Sequence, residues 1–179
     1  MTVSARTTFR TFAYGSNMLS ARLTKRCPSA HPLGVAKLAG YELRWHKVSK
    51  DGSGKCDVVP ATVDHVVYGV VYEINAEEKT DLDQAEGLGS GYDQKDVAVI
   101  LDGKVVTASI YFATKTKPSL KPYTWYKDLV VAGAKEHGLP TDYIARLEAV
   151  EALEDPNHAR HDCNMRIVSA TVQKDGNQI

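Results

Sequence analysis

The sequence predicts an α+β fold, and three observations carry that prediction. Runs rich in β-branched and aromatic residues recur at 8–14, 41–48, 65–74 and 96–113, the composition that suits a pleated, half-buried surface. Segments with helical character lie separately at 18–26, 76–86, 123–137 and about 142–153; they are set by caps, stop signals and apolar spacing. The two kinds of segment do not alternate regularly, as a doubly wound parallel sheet requires.

Taken in chain order, TFRTFAY (8–14) alternates and reads as a strand. It ends abruptly in Gly15-Ser16-Asn17. MLSARLTKR (18–26) follows as a short helix that stops at Cys27-Pro28, because a proline disfavours helical geometry in the residue before it. YELRWHKV (41–48) is a strand, DGSGK (51–55) a turn or mobile loop, and HVVYGVVYEI (65–74) a strongly apolar strand. AEEKTDLDQAE (76–86) reads as a helix, with Asn75 as its cap, Glu78 completing a capping box and Gly87 as its stop. DVAVIL and VVTASIYFA form a hairpin through Asp102-Gly103. Residues 123–137 form a helix ended by Gly138 and Pro140, and Thr141 caps one more helix. From about Glu154 the tail is polar. We read 1–179 as a single domain with this uncertain tail at its end.

Composition narrows the function. With 43% hydrophobic and 25% charged residues, the chain resembles an ordinary globule. Lys plus Arg and Asp plus Glu number 22 each, so the basic footprint of a nucleic-acid binder is missing. No apolar run approaches the roughly 18 residues of a spanning helix, and MTVSARTTFR lacks the apolar core of a secretory leader. Cys27, Cys56 and Cys163 are odd in number and far apart, which suits a reducing cytoplasm better than a disulfide framework.

Three motifs carry no chemistry on inspection. GSGKC (52–56) has Ser49 where a phosphate-binding loop needs its first glycine and Cys56 where it needs Ser or Thr. GLGSG (87–91) follows a helix rather than a strand and misplaces its third glycine. His158, His161 and Cys163 lie close together, but their spacing matches no zinc pattern.

Three segments do point to a site. In the strand-to-helix connection, Gly15 permits close approach of a ligand, and Asn17 is placed to cap the helix. The N–H groups there have no intrahelical partner and can receive a carboxylate or a developing oxyanion. In LDQAEG (82–87), Leu82 and Ala85 form an apolar stripe with Glu86 at its edge. Partial burial at a helix C-terminus favours the proton-bound form of such a carboxyl, as a general base working near neutrality requires. On the helix 123–137, Tyr126 shares a face with Leu129, Val130 and Gly133, so it points to the core or a cleft. Tyr92, after the glycine-rich loop, is a second tyrosine candidate. On the residues alone, a capped turn, a solvated last-turn Glu and two core tyrosines explain the same letters.

Together these segments resemble the γ-glutamylcyclotransferase family. FAYGSNM (12–18) resembles its signature loop and LDQAEG the segment of its catalytic glutamate; CPSA (27–30), YGVVYEIN (68–75) and YKDLVVAGAKEHGLP (126–140) continue the match in order. Asn17 resembles this branch rather than the glutathione-specific one, whose loop follows YGS with an apolar residue. The resemblance implies a small mixed β-barrel with flanking helices, a homodimer, and a reaction with no metal or organic cofactor. That reaction cyclises a γ-glutamyl-amino acid to 5-oxoproline and releases a free amino acid. The implied base is Glu86, and the implied substrate contacts are Tyr14, Gly15, Ser16, Asn17, Met18, Tyr92 and Tyr126. Three other readings stay open: a γ-glutamyl-amine cyclotransferase, a biosynthetic enzyme that removes a γ-glutamyl group, and a non-catalytic ligand-binding module.

Overall fold

The computed structural model describes residues 7–175. Its strands are β1 (Thr8–Ala13), β2 (His31–Ala39), β3 (Tyr41–Val48), β4 (Gly54–Pro60), β5 (Val66–Asn75), β6 (Tyr92–Leu101) and β7 (Lys104–Ala113). Its helices are α1 (Ser20–Arg26), α2 (Lys79–Glu86), α3 (Thr124–Glu136), α4 (Thr141–Glu148) and α5 (His158–Asp175), with 3₁₀ turns at Ser16–Met18 and Ala76–Glu78. The sequence readings for 1–6 and 176–179 fall outside the described residues.

Five strands close into a barrel in the order β1-β5-β2-β6-β7, and β3 and β4 form a separate two-stranded sheet. The expected mixed barrel with flanking helices is therefore present. Its most apolar strand, β5, lies between β1 and β2, both antiparallel to it. Burial on both sides explains its continuous apolar run. The barrel closes where β1 meets β7 in parallel at Thr11 and Ser109. Side chains reinforce that seam: Thr11 Oγ1 donates to Ser109 O (3.2 Å), and Ser109 Oγ donates to Arg10 O (3.1 Å). The β6–β7 hairpin turns at Asp102 (φ 48°) and Gly103 (φ 74°), two left-handed residues that match the twist of a tight hairpin.

The β3–β4 sheet is tied to the barrel by one buried acid. Asp57 accepts the Ala113 N–H of β7 (2.8 Å) and pairs with His46 Nε2 of β3 (2.8 Å). This cross-link sets β4 beside the barrel mouth.

Several local expectations change. The helix expected at 18–26 begins at Ser20, after a separate 3₁₀ turn, and its cap position is Leu19. Asn17 lies within the turn, and its side chain is engaged elsewhere. Neither Asn75 nor Glu78 caps the next helix through a side chain; the Glu78 carboxylate instead accepts the Ser29 hydroxyl (2.7 Å) and N–H (3.2 Å). Thr141 is the first helical residue of α4, with Pro140 at the cap position, and α4 ends at Glu148. Strands β2 and β4 had no counterpart in the sequence reading. The polar tail forms α5, anchored by Asp155. That buried carboxylate accepts Trp125 Nε1 (2.7 Å) and both Nε and a terminal nitrogen of Arg160 (2.6 Å each). One buried acid thus pins the tail to α3, a long-range link that local polarity does not reveal.

Candidate active site

A cleft opens where the end of β1, the end of α2 and the start of α3 converge. Its lining includes Gly15, Ser16, Asn17, Glu86, Tyr92 and Tyr126, with Tyr14, Thr11, Phe12, Ala13, Cys56 and Tyr111 completing the wall. Its interior volume is ≈ 50 Å³, room for about four water molecules.

Glu86 is the last residue of α2, and Gly87 behind it takes the left-handed conformation (φ 71°) that ends the helix. Its side chain is 15% exposed. Oε1 accepts the Asn17 side-chain amide (2.6 Å) and Arg26 Nη1 (2.7 Å). Arg26 Nη1 also donates to Asn17 Oδ1 (2.9 Å), so the three side chains form a closed triangle. Among the described residues no donor reaches Oε2. One oxygen is thus immobilised while the other remains available to a ligand. The sequence reading expected a carboxyl at an apolar edge, but the structure gives it a cation and an amide.

The loop before Glu86's partner is held from three sides. The first bond inside the 3₁₀ turn is Met18 N to Gly15 O (3.0 Å), so the N–H groups of Ser16 and Asn17 have no partner within the turn. A Cβ on Gly15 would lie 3.1 Å from Cys56 Cβ and 3.2 Å from Tyr126 Oη, so this position needs glycine for close approach rather than for an unusual φ. Behind the loop, Gly133 of α3 faces Met18 and Leu19, where a Cβ would sit 2.5 Å from the Leu19 N–H nitrogen. Tyr72 Oη donates to Met18 O (2.7 Å), and His137 Nε2 lies 2.9 Å from the same oxygen.

The tyrosines form a hydrogen-bonded wall. Tyr126 Oη accepts the Cys56 N–H (3.1 Å), and Tyr92 Oη donates to Cys56 O (2.7 Å). Tyr14 Oη donates to Tyr111 O, and Tyr111 Oη donates to Asp83 Oδ1 (2.6 Å). Burial first, then nearby groups that include Cys56 and Glu86, pushes Tyr14, Tyr92 and Tyr126 well above the ordinary phenol range. They remain neutral hydroxyls at any working pH. Burial likewise pushes the Cys56 thiol up to about 12, so it is a poor nucleophile.

Cations surround this wall. Lys55 Nζ lies over Trp125 (4.4 Å) and Tyr126 (4.6 Å) and is paired with Asp51 (2.9 Å). Lys47 Nζ lies over the Tyr92 ring (4.5 Å).

The structure brings Tyr14, Gly15, Ser16, Asn17, Glu86, Tyr92 and Tyr126 to one cleft. Met18 is the exception. It is fully buried against Gly133 and is absent from the lining, so it supports the loop through its carbonyl rather than meeting a ligand. Sequence reasoning missed Arg26, Cys56 and Tyr111. Cys56 lies on an unrecognised strand, and nothing local marks Arg26 as a partner for residues 9 and 60 positions away. Among the described residues, no group of three His, Cys, Asp or Glu side chains is placed to hold a metal ion.

Comparison with known proteins places this geometry in context. The AIG2-like family profile matches residues 66–147. A gamma-glutamylcyclotransferase of Homo sapiens is 36% identical over 149 residues, spanning 80% of this chain and 79% of the relative. Its counterpart from Mus musculus is 36% identical over 153 residues, spanning 82% and 81%. A solved gamma-glutamyl cyclotransferase structure superposes with a TM-score of 0.78 at 33% identity, covering 84% of this chain and 92% of that one.

Proposed function

The chain belongs to the gamma-glutamylcyclotransferase family and is an enzyme of that type, and from this premise we propose that Glu86 moves the protons of the reaction. The supporting observation is its asymmetric environment: Oε1 is held by Asn17 and Arg26, and Oε2 is unengaged at the cleft.

In this reading the glutamyl arm of a γ-glutamyl-amino acid enters the cleft. Folding that arm brings its α-nitrogen to its own γ-carbonyl and removes much of the entropic barrier to ring closure. Glu86 Oε2 takes a proton from the α-ammonium, and the freed amine attacks the γ-carbon. The oxygen that becomes negative is received by the N–H groups of Ser16 and Asn17. Glu86 then returns the proton to the amide nitrogen as the carbon–nitrogen bond breaks. Across the whole reaction the α-ammonium gives up two protons and the departing nitrogen gains two. The second proton leaves the ring nitrogen after attack and follows the same route, taken up by Glu86 and passed to the departing amine. The products are 5-oxoproline and a free amino acid, with no net uptake or release. Tyr92 and Tyr126 act as neutral hydroxyls that shape the cleft.

We read the protein further as a cytoplasmic homodimer acting in glutathione metabolism on small γ-glutamyl compounds. The three free cysteines suit a reducing compartment, and no described helix is long and apolar enough to cross a membrane. A γ-glutamyl-amine, or a γ-glutamyl intermediate of a biosynthetic route, would use the same proton transfers with a different leaving group. A non-catalytic module has no need of the Asn17–Arg26–Glu86 triangle.

The deciding experiment incubates the purified protein with γ-glutamyl-alanine, glutathione and γ-glutamyl-amines and measures 5-oxoproline by mass spectrometry. Release from γ-glutamyl-alanine, lost in Glu86→Gln, is expected. A folded protein that releases none from any donor overturns the reading.

A further inference from the structure

In the cyclisation reading the glutamyl arm lies in the cleft beside Glu86, and the leaving amino acid extends outward from the amide nitrogen that Glu86 protonates. What borders that path decides which leaving groups are accepted.

Lys47 stands beside Tyr92, just outside the lining of the cleft. Its ammonium lies 4.5 Å from the centre of the Tyr92 ring, a ring whose hydroxyl end reaches into the cleft wall. It also presses against the loop that follows Glu86, where a Cβ on Gly91 would come within 3.0 Å of Lys47 Nζ. The register of β3 against β4 shifts between Arg44 and Lys47, an irregularity of the kind that re-aims side chains at the end of a sheet. Partial burial lowers the proton affinity of the Lys47 ammonium, and the negative charge of Glu86 works against that shift.

The other cations around the cleft are already engaged. Arg26 is bound to Glu86 and Asn17, Lys55 is paired with Asp51, and Arg22 is turned to Asn164 Oδ1 (3.1 Å). Among the described residues, Lys47 makes no ion pair with a carboxylate. It is a partly desolvated cation next to the cleft wall without an acid.

We propose that Lys47 binds the carboxylate of the leaving amino acid and so makes the enzyme selective for γ-glutamyl-amino acids over γ-glutamyl-amines. This rests on the cyclisation reading above. The α-carboxylate of the glutamyl arm is the competing claimant, and a matched pair of donors separates the two. γ-Glutamyl-ethylamide is γ-glutamyl-alanine with the leaving group's carboxylate replaced by hydrogen, and both share the glutamyl arm.

The test measures kcat/KM for both donors with wild-type protein, Lys47→Met and Lys47→Arg. Methionine keeps an apolar stem over Tyr92 and removes only the charge. Wild type prefers γ-glutamyl-alanine, and Lys47→Met lowers that preference on the order of tenfold, the scale of one charge-assisted contact at a partly exposed site. Lys47→Arg retains most of it. A preference unchanged in Lys47→Met, or an equal loss on both donors, overturns the assignment. A second measurement needs no variant: raising ionic strength from 0.05 to 1 M compresses the wild-type preference if the contact is electrostatic, and an insensitive preference counts against it. Wild-type protein that is folded yet turns over neither donor overturns the cyclisation reading itself.

Discussion

Asn17 donates its side-chain amide to Glu86 Oε1 at 2.6 Å, joining residues 69 positions apart in the chain. The contact closes the strand-to-helix turn onto the end of α2 and, with Arg26, fixes the orientation of the one carboxylate in the cleft. Removing the amide in Asn17→Ala leaves Arg26 as the only anchor of Oε1. We expect kcat/KM on γ-glutamyl-alanine to fall about 10- to 100-fold, equivalent to the roughly 1.5–3 kcal/mol of a hydrogen bond to a charged group. The melting temperature should change little. Near-wild-type kinetics would show that Arg26 alone suffices.

Glu86→Gln keeps the shape of the side chain and removes its ability to accept a proton. Turnover should drop by about 100- to 10,000-fold, the usual contribution of a positioned acid–base group. Substrate affinity, measured by calorimetry on the inactive variant, should be largely retained. Substantial residual turnover would place the base elsewhere.

Gly133 tests how the cleft loop is supported. A Cβ there would lie 2.5 Å from Leu19 N and 2.7 Å from Met18 Cβ, so Gly133→Ala must push α3 away from the loop. We expect a destabilisation of about 1–3 kcal/mol in urea unfolding, as for other overpacked interiors, together with a loss of kcat. A stabilised variant, the simple result of better helix propensity, would show that the gap closes without strain.

Acid stability should report on Asp51. Burial works against its charge, but hydrogen bonds from Lys55 and Ser53 outweigh it and hold the carboxyl down to about 2. A carboxyl whose pKa is lowered by folding stabilises the folded state above its unfolded value, and that contribution fades as pH falls through the folded value. The window is therefore about pH 4 down to about pH 2. Burial also pulls the Lys55 ammonium below its usual range, which offsets part of the gain, so we expect about 1 kcal/mol. Comparing Asp51→Asn with wild type by thermal unfolding at pH 7 and pH 2.5 should show a gap at neutrality that narrows in acid. A constant gap would assign the effect to packing.

The three thiols should differ in reactivity. Cys27 and Cys56 are buried, and burial pushes them up to about 11 and about 12, whereas Cys163 is exposed on α5. Iodoacetamide on the native protein should modify Cys163 first, with cyclisation unaffected. Mass mapping of the labelled peptides reads the order, and early labelling of Cys56 would mean that the cleft wall opens.

The order of residues along the chain is enough to make the local decisions. Alternation marked β1, the Asp102-Gly103 pair marked the hairpin, Gly87 ended α2, and the spacing of Tyr126, Leu129, Val130 and Gly133 marked the buried face of α3. These signals are legible because each depends on neighbours within a few residues. The ordered segments around Gly15-Ser16-Asn17 and Glu86 also carried the family and the candidate base. The remaining choices depend on contacts between distant segments. A small polar residue before a helix usually caps it, yet the Asn17 amide serves Glu86. Glu78 sits at a capping-box position and instead holds Ser29. The tail is polar along the chain, although Asp155 buries its charge between Trp125 and Arg160. Met18 belongs to the loop segment by sequence and packs under Gly133. In each case a side chain chose between a local partner and a distant one. The barrel and its packed helices set that distance, which the spacing of residues along the chain does not record.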